Sequence, residues 1–148
     1  MTDNVRVFRY DPANGSLSDA QIVDALPTAG SLGAEIAVQP SGAVVYVSNR
    51  GRDSITRMVI DAERYLLTPL EATPMLGKTP RFFTLDPTGA FLIVANQDSN
   101  NLAVFQVHPR TGELRPLGPL VTGITQPSCL VFGPAQGTKA APAGSQRR

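Results

Sequence analysis

Cysteine is nearly absent from this chain, and neither sign of charge is in excess. The single thiol, Cys129, rules out an internal disulfide framework and suits a reducing compartment. With 13 Lys and Arg against 12 Asp and Glu, the charge is too even to attract nucleic acid or an acidic membrane. Lys78 and Lys139 are the only lysines, so the cations are almost all guanidinium, the group suited to bidentate recognition of carboxylates and phosphates. No apolar run approaches the roughly 20 residues of a membrane span. The opening MTDNVRVFRYD lacks the apolar centre of a signal peptide. Asn14-Gly15-Ser16 has the form of a glycosylation site but reads as a turn. These absences lead to a soluble, cytoplasmic protein with no nucleic-acid or membrane partner.

Motifs with obvious chemistry are also few. His108 is the only histidine and immediately precedes a turn, so it reads as a solvated turn residue, and no histidine-based metal site is expected. Gly30-Ser31-Leu32-Gly33 lacks the pattern of a phosphate-cradling loop, and serine nucleophile motifs are missing. A hydrolase built on this chain must therefore activate water by general base catalysis. Cys129 is expected to be a small apolar residue buried in a strand.

Turn residues are abundant. Gly and Pro number 13 each while hydrophobic residues still make up 42%, which fits many tight turns rather than disorder. They also recur in register. GAEIAVQPSGAVVYVSN (33–49), GKTPRFFTLDPTGAFLIVAN (77–96) and QPSCLVFGP (126–134) share one grammar of strand, turn, strand. Pro40, Pro87 and Pro134 fall at one interval of 47 residues (87 − 40 and 134 − 87). Gly42 with Gly89, Asn49 with Asn96, and Pro80 with Pro127 keep the same spacing. Short strands repeating at such a period are the signature of β-propeller blades.

The fold class is thus all-β, a partial propeller. Asn4 to Asp11 and Leu17 to Ala25 form an outer half-blade, matched to 101–107 and the strand from Glu113 by an offset of 97 (109 − 12 and 112 − 15). One full blade runs a (Glu35 to Gln39), b (Val44 to Ser48), c (Ser54 to Ile60) and d (Leu66 to Thr73). A second runs from Arg81 to about Val121, and Ser128 to Phe132 reads as the inner strand of another. Residues 1–132 form the propeller portion, and 133–148, without apolar periodicity, read as a disordered tail. Propellers close with about four to eight blades. The chain therefore reads as a fragment of a longer ring, or as one that needs other copies to complete it.

Strand direction sorts the loops. The Pro-x-x-Gly turns share one face, while the b–c loops and the starts of the inner strands share the other. Glu35, Arg50, Arg81 and Gln97 are expected to crowd that second face at one end of the central channel. Arg81 stands out, because a charge between Pro80 and two phenylalanines reads as paired or ligand-bound. Lys78 adds positive potential, and Asn49 joins Gln97 and Lys78 as a candidate binding residue, although turn chemistry also explains Asn49 and Asn96. Tyr46, Phe82, Phe83, Phe91 and Phe105 read as packing between blades.

The ordered series AEI, SNRG, TPRFF, DPTG and ANQDS resembles the lactonase β-propeller family, typified by seven-bladed bacterial 6-phosphogluconolactonases. The likeness covers nearly everything from Asn4 to Phe132 and places this chain among the C-terminal blades. It implies that Ser128 to Phe132 is the closing inner strand of the ring. It further implies hydrolysis of 6-phospho-D-glucono-1,5-lactone to 6-phosphogluconate, in the pentose phosphate pathway, without metal or organic cofactor. Glu35 in AEI, Arg50 in SNRG and Arg81 in TPRFF would be the catalytic cluster. Two alternatives stand beside this: a carboxymuconate-lactonising cycloisomerase, or a non-catalytic propeller remnant that binds partners, including other copies of itself, through open blade edges.

Overall fold

The structure is a computed structural model and describes residues 4–26 and 30–133. All regular elements among them are β-strands. β1 (Asn4–Asp11) and β2 (Ser16–Asp24) form an antiparallel pair. β3 (Leu32–Val38), β4 (Val44–Arg50), β5 (Ser54–Ile60) and β6 (Leu67–Pro74) form a meander in that order. β7 (Pro80–Leu85), β8 (Phe91–Asn96), β9 (Asn101–Val107) and β10 (Leu114–Pro116) repeat it, and the two-residue β11 (Val121–Thr122) also pairs with β9. The outer half-blade and the two full blades are therefore present, as the repeat requires.

One expected strand is not formed. Ser128 to Phe132 carries no ladder. An inner strand here bonds only to strand b of its own blade, as β3 does to β4 and β7 to β8. Among the described residues no such partner follows Phe132. Cys129 is accordingly exposed, not buried as the strand pattern suggested. Of the expected tail, Gly133 is exposed and without regular structure, and 134–148 lie outside the described residues.

Alternation along β4 explains how the sheets stack. Side chains on successive strand residues point to opposite faces. Val44 and Tyr46 join Phe83, Leu92, Val94, Ala103 and Phe105 in a core between the two full blades. Val45 and Val47 join Val5, Ala25, Met58 and Leu67 in a second core beneath the half-blade. β4 is apolar on both faces because both are covered. Tyr46 and Phe83 meet edge to face, with centroids 6.5 Å apart and planes at 84°. Burying a side chain such as Phe83 contributes about 1.5–3 kcal/mol. Phe91, by contrast, is on the exposed side of its sheet. The half-blade is stapled on by Gln21, whose Nε2 donates to Leu67 O at 2.8 Å while its Oε1 accepts from Leu67 N–H at 2.7 Å.

The repeated turns behave alike. Gly42 N–H donates to Gln39 O at 2.8 Å, and Gly89 N–H to Asp86 O at 2.9 Å. Asp86 also caps its own turn, accepting from the Thr88 and Phe91 amides at 3.1 and 2.8 Å. The c–d turns use Asp11, Asp61 and His108 in the same role. His108 Nδ1 accepts from the Arg110 and Thr111 amides at 3.3 and 3.1 Å, which gives this histidine a turn-forming task.

Candidate functional site at the start of the inner strands

β3 and β7 begin at one end of their sheets, where β4 and β8 end. The pairings Leu32 with Arg50 and Pro80 with Asn96 fix that end. Each inner strand is irregular just after its start, between Gly33 and Ile36 in β3 and between Pro80 and Phe82 in β7. Bulges take residues off the ladder and re-aim their side chains. Glu35 and Arg81 both lie in these interruptions.

Glu35 is half-buried and held at two points. Its N–H donates to the Ser48 hydroxyl at 2.9 Å, and its Oε1 accepts from Ile36 N–H at 3.0 Å. Arg50, at the end of β4, is also half-buried. Its Nη2 donates to Gly33 O at 3.2 Å, and the Ser31 hydroxyl donates to Arg50 O at 3.4 Å. The Arg50 Nε is buried without a protein acceptor. Glu35 and Arg50 share a cleft of about 740 Å³, walled by β3 on one side and by Asn4, Val5 and Arg6 of β1 on the other. A pinned carboxylate beside a partly unsatisfied guanidinium can accept a proton from water and offer N–H donors to a developing negative oxygen.

The other expected residues are placed differently. Arg81 is exposed and does not line this cleft. Water solvates it, so its flanking phenylalanines impose no need for a charged partner. Lys78 is exposed, and its amide donates to the Ser99 hydroxyl at 2.6 Å. Gln97 is half-buried, with its amide donating to Thr79 O at 2.9 Å. Asn49 is fully buried, and its Nδ2 donates to Ser54 Oγ at 3.3 Å and Thr56 Oγ1 at 3.0 Å. These bonds brace the b–c corner between β4 and β5.

Sequence reasoning passed over three residues at this end. Asn4 and Arg6 line the cleft across from β3, where β1 is held by Val5 against Val45 and Val47 of β4. Asp53 adopts a left-handed conformation (φ 50°), and its Oδ1 accepts from Thr79 N–H at 2.7 Å, tying the first b–c loop to the start of the second blade. A pattern of Asp after Gly-Arg was available, but nothing in it specified a partner 26 residues away. Among the described residues no group of three or more His, Cys, Asp or Glu could hold a metal ion, and no helix is long and apolar enough to cross a membrane.

Repeated four-stranded meanders with an acid and a guanidinium at one end define a propeller with a candidate catalytic opening. The family described as "Lactonase, 7-bladed beta-propeller" matches residues 1–132, and the chain belongs to that family. It is 34% identical over 135 residues to a 6-phosphogluconolactonase of Bacillus subtilis, covering 89% of this chain and 38% of that protein. A 6-phosphogluconolactonase of Formosa agariphila is 42% identical over 86 residues, covering 57% of this chain and 24% of the relative. Among solved structures, a periplasmic gluconolactonase of Pseudomonas aeruginosa superposes with a TM-score of 0.78 at 32% identity, over 88% of this chain and 37% of the other. The chain thus spans well under half the length of the relatives it matches.

Proposed function

We propose that these blades belong to a ring that hydrolyses 6-phospho-D-glucono-1,5-lactone to 6-phosphogluconate. The supporting observation is the shared cleft of Glu35 and Arg50 in a chain of the lactonase family. Glu35 takes a proton as water attacks the lactone carbonyl carbon. Arg50 faces the oxygen that becomes negative. Collapse breaks the bond from the carbonyl carbon to the ring oxygen, which leaves as the 5-hydroxyl after receiving the proton, and the new carboxylic acid ionises. Exposed Arg81, with Lys78 and Gln97 at the same end, is assigned to the substrate phosphate. The substrate is a small molecule, and a cytoplasmic location follows from its being phosphorylated; cell fractionation tests that.

The test is lactone hydrolysis by a seven-bladed protein that carries these blades. Glu35→Gln is expected to lower kcat by about 10²–10⁴-fold, the usual worth of a general base. Wild-type rates in that variant remove Glu35 from the mechanism. An unphosphorylated sugar lactone is the second reading, favoured by the likeness to the Pseudomonas gluconolactonase. Arg81→Ala separates the two: it raises KM for the phosphorylated lactone alone if Arg81 holds phosphate, and leaves both substrates unaffected if it does not.

A further inference from the structure

A second cleft, of about 380 Å³, lies at the other end of the two full blades, where their a–b turns meet. Gln39, Pro40 and Ser41 line it from the first full blade, and Thr88, Gln106 and Pro109 from the second. The two turns come close here, since a Cβ at Gly89 would fall 2.9 Å from the Pro40 ring. Clefts of this volume are within the range that holds small molecules.

Gln39 is where the first turn departs from the second. Asp86 stands at the same repeat position (86 − 39 is again 47), and the backbone bonds match. Gln39 N–H donates to Val44 O at 2.8 Å, and Asp86 N–H to Phe91 O at 2.9 Å. The Asp86 carboxylate folds back on its own turn and accepts from the Thr88 and Phe91 amides. Gln39 does not. Strand alternation sets it on the same face as Ala37, which packs against the core shared with the second blade. It is 5% exposed, and its Oε1 is buried with no donor among the described residues. A buried amide oxygen left without a donor is the exception in folded proteins and points to a partner. The terminal torsion of glutamine is soft and roughly two-fold, so the amide can turn that oxygen to the cleft.

The rest of the lining is neutral. Ser41 Oγ accepts from Ala43 N–H at 3.3 Å, which leaves its hydrogen to donate. Gln106 is exposed and offers both amide donors and a carbonyl acceptor. None of the lining residues is ionisable, and Pro40 and Pro109 add apolar ring surface. Uncharged donors and acceptors beside apolar rings suit hydroxyl groups on a C–H framework, whereas a phosphate or carboxylate would find no cation among them. We propose that this cleft binds a neutral polyhydroxylated small molecule of the size of a free sugar. One ligand hydroxyl donates to Gln39 Oε1 and another accepts from Ser41. The site lies at the opposite end of β3 and β4 from Arg50, and it stands whether or not the protein hydrolyses a lactone.

The experiment titrates D-glucose and, separately, myo-inositol into the whole chain and follows backbone and side-chain amides by NMR. With at least one of them, saturable shifts are expected at millimolar concentration in the Gln39 and Gln106 side-chain amides and the Thr88 backbone amide. Gln39→Leu removes an oxygen that has no donor within the fold, so the chain should stay folded while binding weakens roughly tenfold, the worth of one hydrogen bond. Ser41→Ala, at an exposed position, should weaken it several-fold. Unchanged affinity in Gln39→Leu, shifts confined to the Glu35 end, or no saturable shift with either compound overturns the proposal. So does tighter binding of glucose 6-phosphate than of glucose at these residues, since an anion is then the ligand.

Discussion

Asn49 and Asn96 close the same corner in consecutive blades, and both are fully buried. Asn96 Nδ2 donates to Met75 O at 2.9 Å and to Asn101 Oδ1 at 3.0 Å. Removing the amide leaves a buried carbonyl without its donor, so Asn96→Ala should lose about 1–3 kcal/mol in urea unfolding. An unchanged midpoint and slope would contradict that role. Tyr46 is a second residue with a measurable signature. Its hydroxyl donates to Gly112 O at 2.7 Å. Burial pushes its pKa up to about 12, against an opposing pull from the Arg57 charge. A phenol whose pKa is raised by folding contributes stability fully present below its unfolded value near 10. That stability falls away as pH rises through the folded value. Unfolding free energy should therefore drop by roughly 1.4 kcal/mol per pH unit between about 10 and 12 beyond the background slope. In Tyr46→Phe this component should vanish. Residue identity alone exposed neither effect: the sequence marked both asparagines as turn formers, and burial made both of them braces.

At the scale of the element, the Pro-Ser-Gly and Pro-Thr-Gly turns (40–42 and 87–89) do two jobs. Gly89 sits at φ 72°, and a Cβ there would come within 2.9 Å of the Pro40 ring in the neighbouring blade's turn. Gly89→Ala must therefore strain its own backbone and push adjacent turns apart. A loss of about 1–3 kcal/mol is expected in thermal or urea unfolding; a neutral result would mean that the blades do not touch at these turns. Strand boundaries were largely legible, with β5 and β9 coinciding with the expected segments, because alternation and turn residues act over a few neighbours. The closing strand was not. Ser128 to Phe132 has strand composition, yet a ladder needs a second chain segment, and composition cannot supply one. Cys129 came out exposed for the same reason.

Considered as a whole molecule, two stacked blades and a half-blade leave large apolar side chains in water, Val131 at 87% exposure and Phe132 at 45% among them. Exposed apolar groups favour association. The isolated chain should elute from size-exclusion columns at a mass that rises with concentration, and Val131→Ser with Phe132→Ser should shift it toward monomer. A compact monomer at all concentrations would count against it.

The 47-residue recurrence, the turn residues and the alternation of apolar positions were enough to specify an all-β stack of blades and to bring Glu35 and Arg50 to the same end, because each depends on local backbone preferences repeated in order. Tertiary structure decided that these two share a cleft with Asn4 and Arg6 while Arg81 stands in solvent. It also decided that Asn49 is fully buried and that Ser128 to Phe132 forms no ladder among the described residues. Those outcomes depend on which surfaces meet across blades, and a side chain's exposure is set by neighbours distant in the chain.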